Sequence, residues 1–345
     1  MAYHVDIQTG FTNKTDFMQG LHDWLISTLG YTQDSYTDGD NWVVHNTTAD
    51  GRPLYVKCLP YNFGSNRIQV APAIDTDNVT LLNAVSSTYW PVPAAPYNGV
   101  FAGDDANPCA FVVGPLDSGY WKTSFSGYYD SYLGANGFTT LSTAALSTDT
   151  VLSVVDASIF AVNDWVNVTS INAADKSGAN LPVALVEVTA VDTVANTITV
   201  SAAVGSAFSI GSLVGLNALP MGLMQPGVKW GDTGGAQFNM PTSINGNTNN
   251  PYVYVDCYPY YASSWYDSLV GAAPVASLLP SIMYNQYSSG QVGIYGQLPS
   301  WLRNIHRPWA DQSDINATDP ANPLTRQTWK FLLCSAGGGI ALRTT

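Results

Sequence analysis

The 345-residue chain is 46% hydrophobic but only 11% charged, with a net charge of −13 and a sequence pI of about 4.3. Length allows one large domain or two modest ones, and the apolar share suffices for a sizeable core. The acidity, and the scatter of the basic residues apart from Arg303, His306 and Arg307, argue against a nucleic-acid surface. No apolar window reaches the length of a membrane span, and no basic stretch followed by an apolar run marks a signal peptide.

Nearly all the negative charge is aspartate, since Glu187 is the only glutamate. Asp, Asn and Gly favour turns, whereas Glu and Lys favour helices. The composition therefore predicts a mainly β protein: an α+β body with one N-terminal helix, made discontinuous by an inserted small β-barrel or sandwich module. The expected boundaries are 1–138 for the first part of the body, 139–219 for the insert and 220–345 for the rest.

In chain order, Thr15 to Leu29 predicts the helix, with Phe17, Leu21, Trp24, Leu25 and Leu29 at helical spacing. Thr15 or Asn13 would cap its start and Gly30 its end. Trp42 to His45 and Leu54 to Leu59 predict a hairpin around Ala49-Asp-Gly51, and Arg67 to Ala71 a third strand. A Pro-rich loop, Pro91 to Pro96, follows. Phe111 to Gly114 and Tyr120 to Phe125 read as a strand pair, and Gly127 to Gly137 as a loop into the insert.

The insert alternates short Val/Ile/Thr-rich runs with small polar turns: Val151 to Val155, Asp164 to Val168, Val183 to Val191 and Thr197 to Val200. It is almost free of aromatic residues, while both flanks are dense in Tyr and Trp. Beyond it, Pro220 to Pro226 reads as a return loop and Gly231 to Phe238 as a glycine turn entering a strand. Asn245 to Asn250 is a polar tip, Tyr252 to Asp256 a strand, and Pro274 to Tyr287 one or two short helices. A long loop then leads to Thr328 to Cys334, which closes through Gly337-Gly-Gly339 onto Ile340 to Arg343.

Chemistry is hard to find. No Gly-x-Ser-x-Gly elbow occurs, and the glycine runs lie between strands, not before a helix, so they cradle no phosphate. His4, His22, His45 and His306 lack ligand spacing, and His22-Asp23 is expected to point to two helix faces. Cys58, Cys109, Cys257 and Cys334 form no CxxC pair, which argues against structural zinc and for buried thiols, with disulfide pairing left open. Asp34 to Asp40 and Asp104-Asp105 read as Asp-rich turns before calcium loops. An Asp pair for glycoside hydrolysis is not singled out by any spacing. Trp90, Trp121, Trp265, Trp301 and Trp309 are candidate interface anchors or glycan platforms.

Three segments resemble a family of tailed-bacteriophage virion proteins: the helix running into Gly30-Tyr31 and Trp42-Val-Val; Phe111 to Phe125 with Gly231-Asp-Thr-Gly-Gly-Ala-Gln-Phe238 across the insert; and Gly296-Gln-Leu-Pro, Trp329-Lys-Phe-Leu and Ile340-Ala-Leu-Arg343. Within the insert, Val155-Asp-Ala-Ser-Ile-Phe-Ala-Val-Asn-Asp-Trp-Val166 resembles the "Asp-Ala-Ser-x-Phe-x-Val-Gly-Asp-x-Val" step of small phage β-modules, with Asn163 in place of glycine. The resemblance implies a non-enzymatic part of the tail, neck or baseplate, assembled in the host cytoplasm into the virion. Its partners would be further copies in a ring and other virion structural proteins. No catalytic, cofactor or metal site and no nucleic-acid or membrane partner is expected. Two other readings stay open: a carbohydrate- or receptor-binding protein of the virion, or secreted lectin, contacting host glycan, and an Asp-based glycosidase.

Overall fold

The computed structural model describes residues 3–61, 65–71, 73–74, 81–82, 85–90, 96–105, 109–115, 121–128, 130–131, 137–177, 180–215, 221–225, 236–239, 252–256, 279–280, 282–286, 292–297, 299–305, 312–319, 322–335 and 338–344, with only the backbone described in parts of some strands. It is mainly β, with one α-helix among these residues.

The helix, Lys14–Leu29, starts where the sequence places a cap: the Asn13 side chain accepts a hydrogen bond from the Asp16 N–H. It ends at Gly30, whose φ of 69° is the left-handed conformation that glycine adopts without a Cβ penalty. Phe17, Met18, Leu21, Trp24, Leu25 and Leu29 face inward, four and three residues apart. They pack on Trp42, Val44, Leu54, Val56, Cys58 and Ile68 of a five-stranded sheet, and on Phe101 of a ten-stranded one. The approach to the larger sheet is close: a Cβ on Gly99 would lie 2.4 Å from the Phe17 ring. Cys58 is a fully buried thiol in this core.

The five-stranded sheet runs Thr32–Asp38, Asn41–Thr47, Pro53–Tyr61, Ser65–Ala71 and Val85–Trp90 in spatial order. The expected hairpin is there, with Trp42 opposite Cys58 and Thr47 opposite Pro53, closed by a turn in which Gly51 has φ 92°. The ten-stranded sheet begins with Tyr3–Phe11, a strand the sequence reading missed, and continues through Tyr97–Asp104, Cys109–Pro115 and Trp121–Gly127. It then passes to Met221–Gln225, Ala236–Asn239, Tyr252–Asp256, Ile282–Gln286 and Val292–Gln297, ending on Asp130–Ser131.

Several expectations need correction here. The supposed return loop is the strand Met221–Gln225, held by five register pairs to Trp121–Gly127. The supposed helices around 274–287 are the strands Leu279–Pro280 and Ile282–Gln286 where described; the second sits between two partners that satisfy its backbone on both edges. The long loop before Thr328 contains the strand Asp314–Asp319, which pairs with Asn322–Ser335. The C-terminal hairpin forms as expected, with Trp329 opposite Arg343. Residues 91–95, 231–235 and 245–250 lie outside the described residues.

Residues 138–215 form a separate six-stranded sheet in the order Phe138–Thr140, Leu213–Gly215, Trp165–Thr169, Val183–Asp192, Thr197–Val200 and Val151–Ser153. The first and last strands meet: Leu141 bridges Val154, the Val155 N–H donates to Thr140 O at 2.9 Å, and the Ser142 N–H donates to Ser153 O at 3.0 Å. The sheet is thus a closed barrel without a free edge. Its core is aliphatic with two phenylalanines: Leu152, Val154, Val166, Val168, Val186, Val188, Ile198, Val214, Phe160 and Phe208 all point inward. The polar residues of the 155–166 step shape turns. Asp156 accepts from the Ser158 N–H and hydroxyl, and Asp164 accepts from the Ala161 N–H. Asn163, where the resembled pattern has glycine, takes φ 75°, a left-handed conformation Asn tolerates.

Candidate functional site

The barrel leaves and rejoins the body at one place. Gly127 and Met221 are paired neighbours in the ten-stranded sheet, and Phe138 and Gly215, the first and last strand residues of the barrel, are paired in turn. The hairpin turn of the five-stranded sheet reaches into this junction. Its Arg52 is 4% exposed. The Arg52 guanidinium carbon lies 4.2 Å from the Tyr128 ring centroid on the outgoing chain and 4.5 Å from that of Phe138. Asp50 neutralises it through a two-pronged contact, from Nε at 3.1 Å and Nη2 at 2.8 Å. The Tyr128 hydroxyl donates to Pro53 O at 2.6 Å. Burial pushes the Tyr128 phenol up, so it stays a protonated donor throughout the ordinary pH range. A planar cation between two rings, with its charge matched beside it, is a rigid clasp.

Next to the clasp, the outer face of the barrel is covered. Phe138, Leu213 and Ile171 form one small cluster, and Leu82 of the body packs with Leu181 and Ala173 in another. In the same register row as Phe138 and Gly215 stands Asn167, and Thr169 follows it on the same face. Both are fully buried, and among the described residues neither Asn167 Oδ1 and Nδ2 nor Thr169 Oγ1 has a hydrogen-bond partner. A buried polar group left without a partner costs on the order of 1–3 kcal/mol.

Away from the seam the barrel presents apolar side chains to solvent: Leu146, Val151, Val155, Val162, Trp165, Val194 and Ile210 are all at least 49% exposed. Trp165 stands opposite Glu187 across the strand pair. Among the tryptophans whose side chains are described, Trp165 alone is exposed, and the sequence reading passed over it because it sits in a regular strand motif. Of the tryptophans expected as anchors or platforms, Trp301 is a core residue, 3% exposed. Trp90 and Trp121 lie on strands of the two body sheets, with their side chains outside what is described. Trp265 and Trp309 lie outside the described residues.

Titratable groups come together in ways spacing did not show. His22 and Asp23, expected on different helix faces, are in contact at 2.8 Å, because the buried imidazole turns its Nδ1 toward the neighbouring carboxylate while Nε2 faces Gln33 at 3.1 Å. His45 lies 2.8 Å from the buried Asp34. Burial and the Asp34 charge both raise the Tyr55 phenol beside them. Asp34 lies on a strand, Asp38 caps the following turn, and Asp40 pairs with Lys14 at 3.1 Å. Among the described residues no group of three or more His, Cys, Asp or Glu is placed to hold a metal ion. No described helix is long and apolar enough to cross a membrane. No protein-family model matches this chain, and none of the curated proteins matches it.

Proposed function

We propose that the chain is a non-enzymatic structural component of a tailed bacteriophage particle, in the tail, neck or baseplate assembly, and that it associates with copies of itself in a closed ring. The observation that carries this reading is the barrel clasped to the body at one seam, with exposed apolar side chains around it. Closed rings use heterologous, head-to-tail contacts. A surface poor in charge suits such contacts, since few ions must be desolvated when copies meet. The body would form the ring, and the barrel would project from it or bridge to a neighbour. The test is quantitative peptide mass spectrometry of purified particles of the virus that encodes the chain. A small symmetric copy number, on the order of 6 or 12 as closed rings require, is expected; absence from the particle overturns the reading.

One observation favours a second reading, in which the barrel contacts host glycan. Trp165 is a flat, 49%-exposed aromatic face with Glu187 directly across from it, and stacking on an aromatic beside a hydrogen-bond acceptor suits a sugar ring. Glycan-array binding that is lost on Trp165→Ala would support it, and an array without signal removes it.

A further inference from the structure

Sheet edges in this protein differ in how they are guarded. An edge strand offers a row of unpaired N–H and C=O groups, and proteins blunt such edges with charge, lysine, proline or bulges. Thr32–Asp38 carries Asp34 and Asp38 and has two register breaks. Asp314–Asp319 has an aspartate at each end and a break beside Thr318. Val85–Trp90 lies against Met221–Gln225 of the neighbouring sheet. The barrel has closed its edges on each other.

Along its first part Tyr3–Phe11 has no lysine, proline or bulge, and its one carboxylate, Asp6, accepts a hydrogen bond from Gln8 Nε2 of the same strand at 2.9 Å. It ends the ten-stranded sheet, and no described strand pairs with its outer edge. Its register with Tyr97–Asp104 is unbroken from Tyr3 to Gln8, and it contains no lysine, arginine or proline. Ile7 on this edge strand is 39% exposed. His4 Nε2 makes no hydrogen bond among the described residues, with Asp105 3.8 Å away.

The strand is also complementary to itself. Side chains alternate between faces, so Tyr3, Val5 and Ile7 share one face and His4 and Asp6 the other. Run antiparallel about Val5, Tyr3 of one copy meets Ile7 of the other, Val5 meets Val5, and His4 meets Asp6. Apolar residues then face apolar residues, and an imidazole faces a carboxylate, as cross-strand pairs require. Centred on Asp6 instead, the pairing would set carboxylate against carboxylate.

We infer that Tyr3–Phe11 is a self-association edge: it pairs antiparallel with the same strand of a second copy about a two-fold axis at Val5, and the ten-stranded sheet continues across both copies. The occupant is a second copy because the charge and apolar pattern of the strand matches its own reverse. An edge that pairs with itself is isologous and closes at two. The inference does not rest on the function proposed above.

The test uses the full chain and exploits the axis, where each residue meets only its own counterpart. The wild type is expected to sediment at micromolar concentration as a dimer or an even multiple. Val5→Lys and Val5→Glu each set like charges against each other and are expected to weaken pairing about tenfold or more. An equimolar mixture of the two variants is expected to pair again, because Lys then faces Glu. A monomeric wild type, a mass unmoved by either variant, or a mixture that fails to recover while both variants keep the wild-type far-UV spectrum and melting temperature overturns the inference. Should the variants not fold, wild-type hydrogen exchange decides: protection of amides 3–11 that rises with protein concentration supports the edge contact, and concentration-independent exchange overturns it.

Discussion

The barrel and the helix-covered part of the body solve the same problem with different materials. The barrel buries short aliphatic side chains drawn from one stretch, Leu141 to Val214, and closes its sheet so that no edge is left. The body buries Trp24, Trp42, Phe17 and Phe101, which come from a helix and two sheets and meet only when distant segments assemble. A closed sheet of neighbouring hairpins draws its core from local contacts, whereas a helix between two sheets depends on long-range ones. The difference teaches why a module of this kind tolerates insertion: its two ends are paired neighbours, and among the described residues its core is drawn from the barrel alone.

The most severe way to break the comparison is to remove one partner. Deleting residues 140–218 and joining the ends with a short flexible linker is expected to leave a body that still unfolds cooperatively; a molten product by near-UV circular dichroism would show that the body needs the barrel. Single core truncations come next. Trp42→Ala, at a fully buried site, should destabilise the body by about 3–5 kcal/mol, and Leu152→Ala the barrel by about 2–5 kcal/mol. Denaturant curves read by tryptophan fluorescence should show each loss in its own transition, since distant sites add independently; a shared shift would mean one cooperative unit.

The seam gives a smaller effect. Arg52→Lys keeps the charge but loses the planar stack between Tyr128 and Phe138 and the two-pronged contact with Asp50. It should cost on the order of 1–2 kcal/mol and loosen the barrel against the body, measurable as faster hydrogen exchange around 137–140 with the barrel core unchanged. The smallest effect is acid sensitivity inside the barrel. Partial burial pushes the Asp175 carboxyl up, but hydrogen bonds from the Ser209 and Ser170 hydroxyls and the Ser209 N–H outweigh it and hold its pKa below the usual carboxylate range. A carboxyl whose pKa is lower when folded contributes stability above its unfolded pKa of about 3.9, and that contribution is lost as pH falls through the folded value. Barrel stability should therefore drop below about pH 4, and Asp175→Asn should flatten that part of the profile; an unchanged profile would assign the acid response elsewhere.

The sequence by itself determined what rests on local chemistry. The helix is legible because its apolar spacing, Asn13 and Gly30 act within one or two turns. The 42–59 hairpin, Thr197–Val200 and the C-terminal hairpin are legible because alternation and turn residues lie side by side. Glycine-like behaviour at Asn163 is written into its turn. Tertiary structure alone decided the rest. Tyr3–Phe11, Phe138–Thr140 and Leu213–Gly215 have weak patterns of their own and become strands because partners from elsewhere satisfy their backbone groups. Ile282–Gln286 carries a short apolar run that periodicity cannot assign, and its two neighbours settled it as a strand. The clasp of Arg52 between Tyr128 and Phe138 had no signal at all, since an arginine in a hairpin turn is ordinarily solvated and only the fold brought two rings to it. Trp301 shows the converse: residue type offered an anchor, and burial made it core, because exposure is a property of what surrounds a side chain and not of the side chain itself.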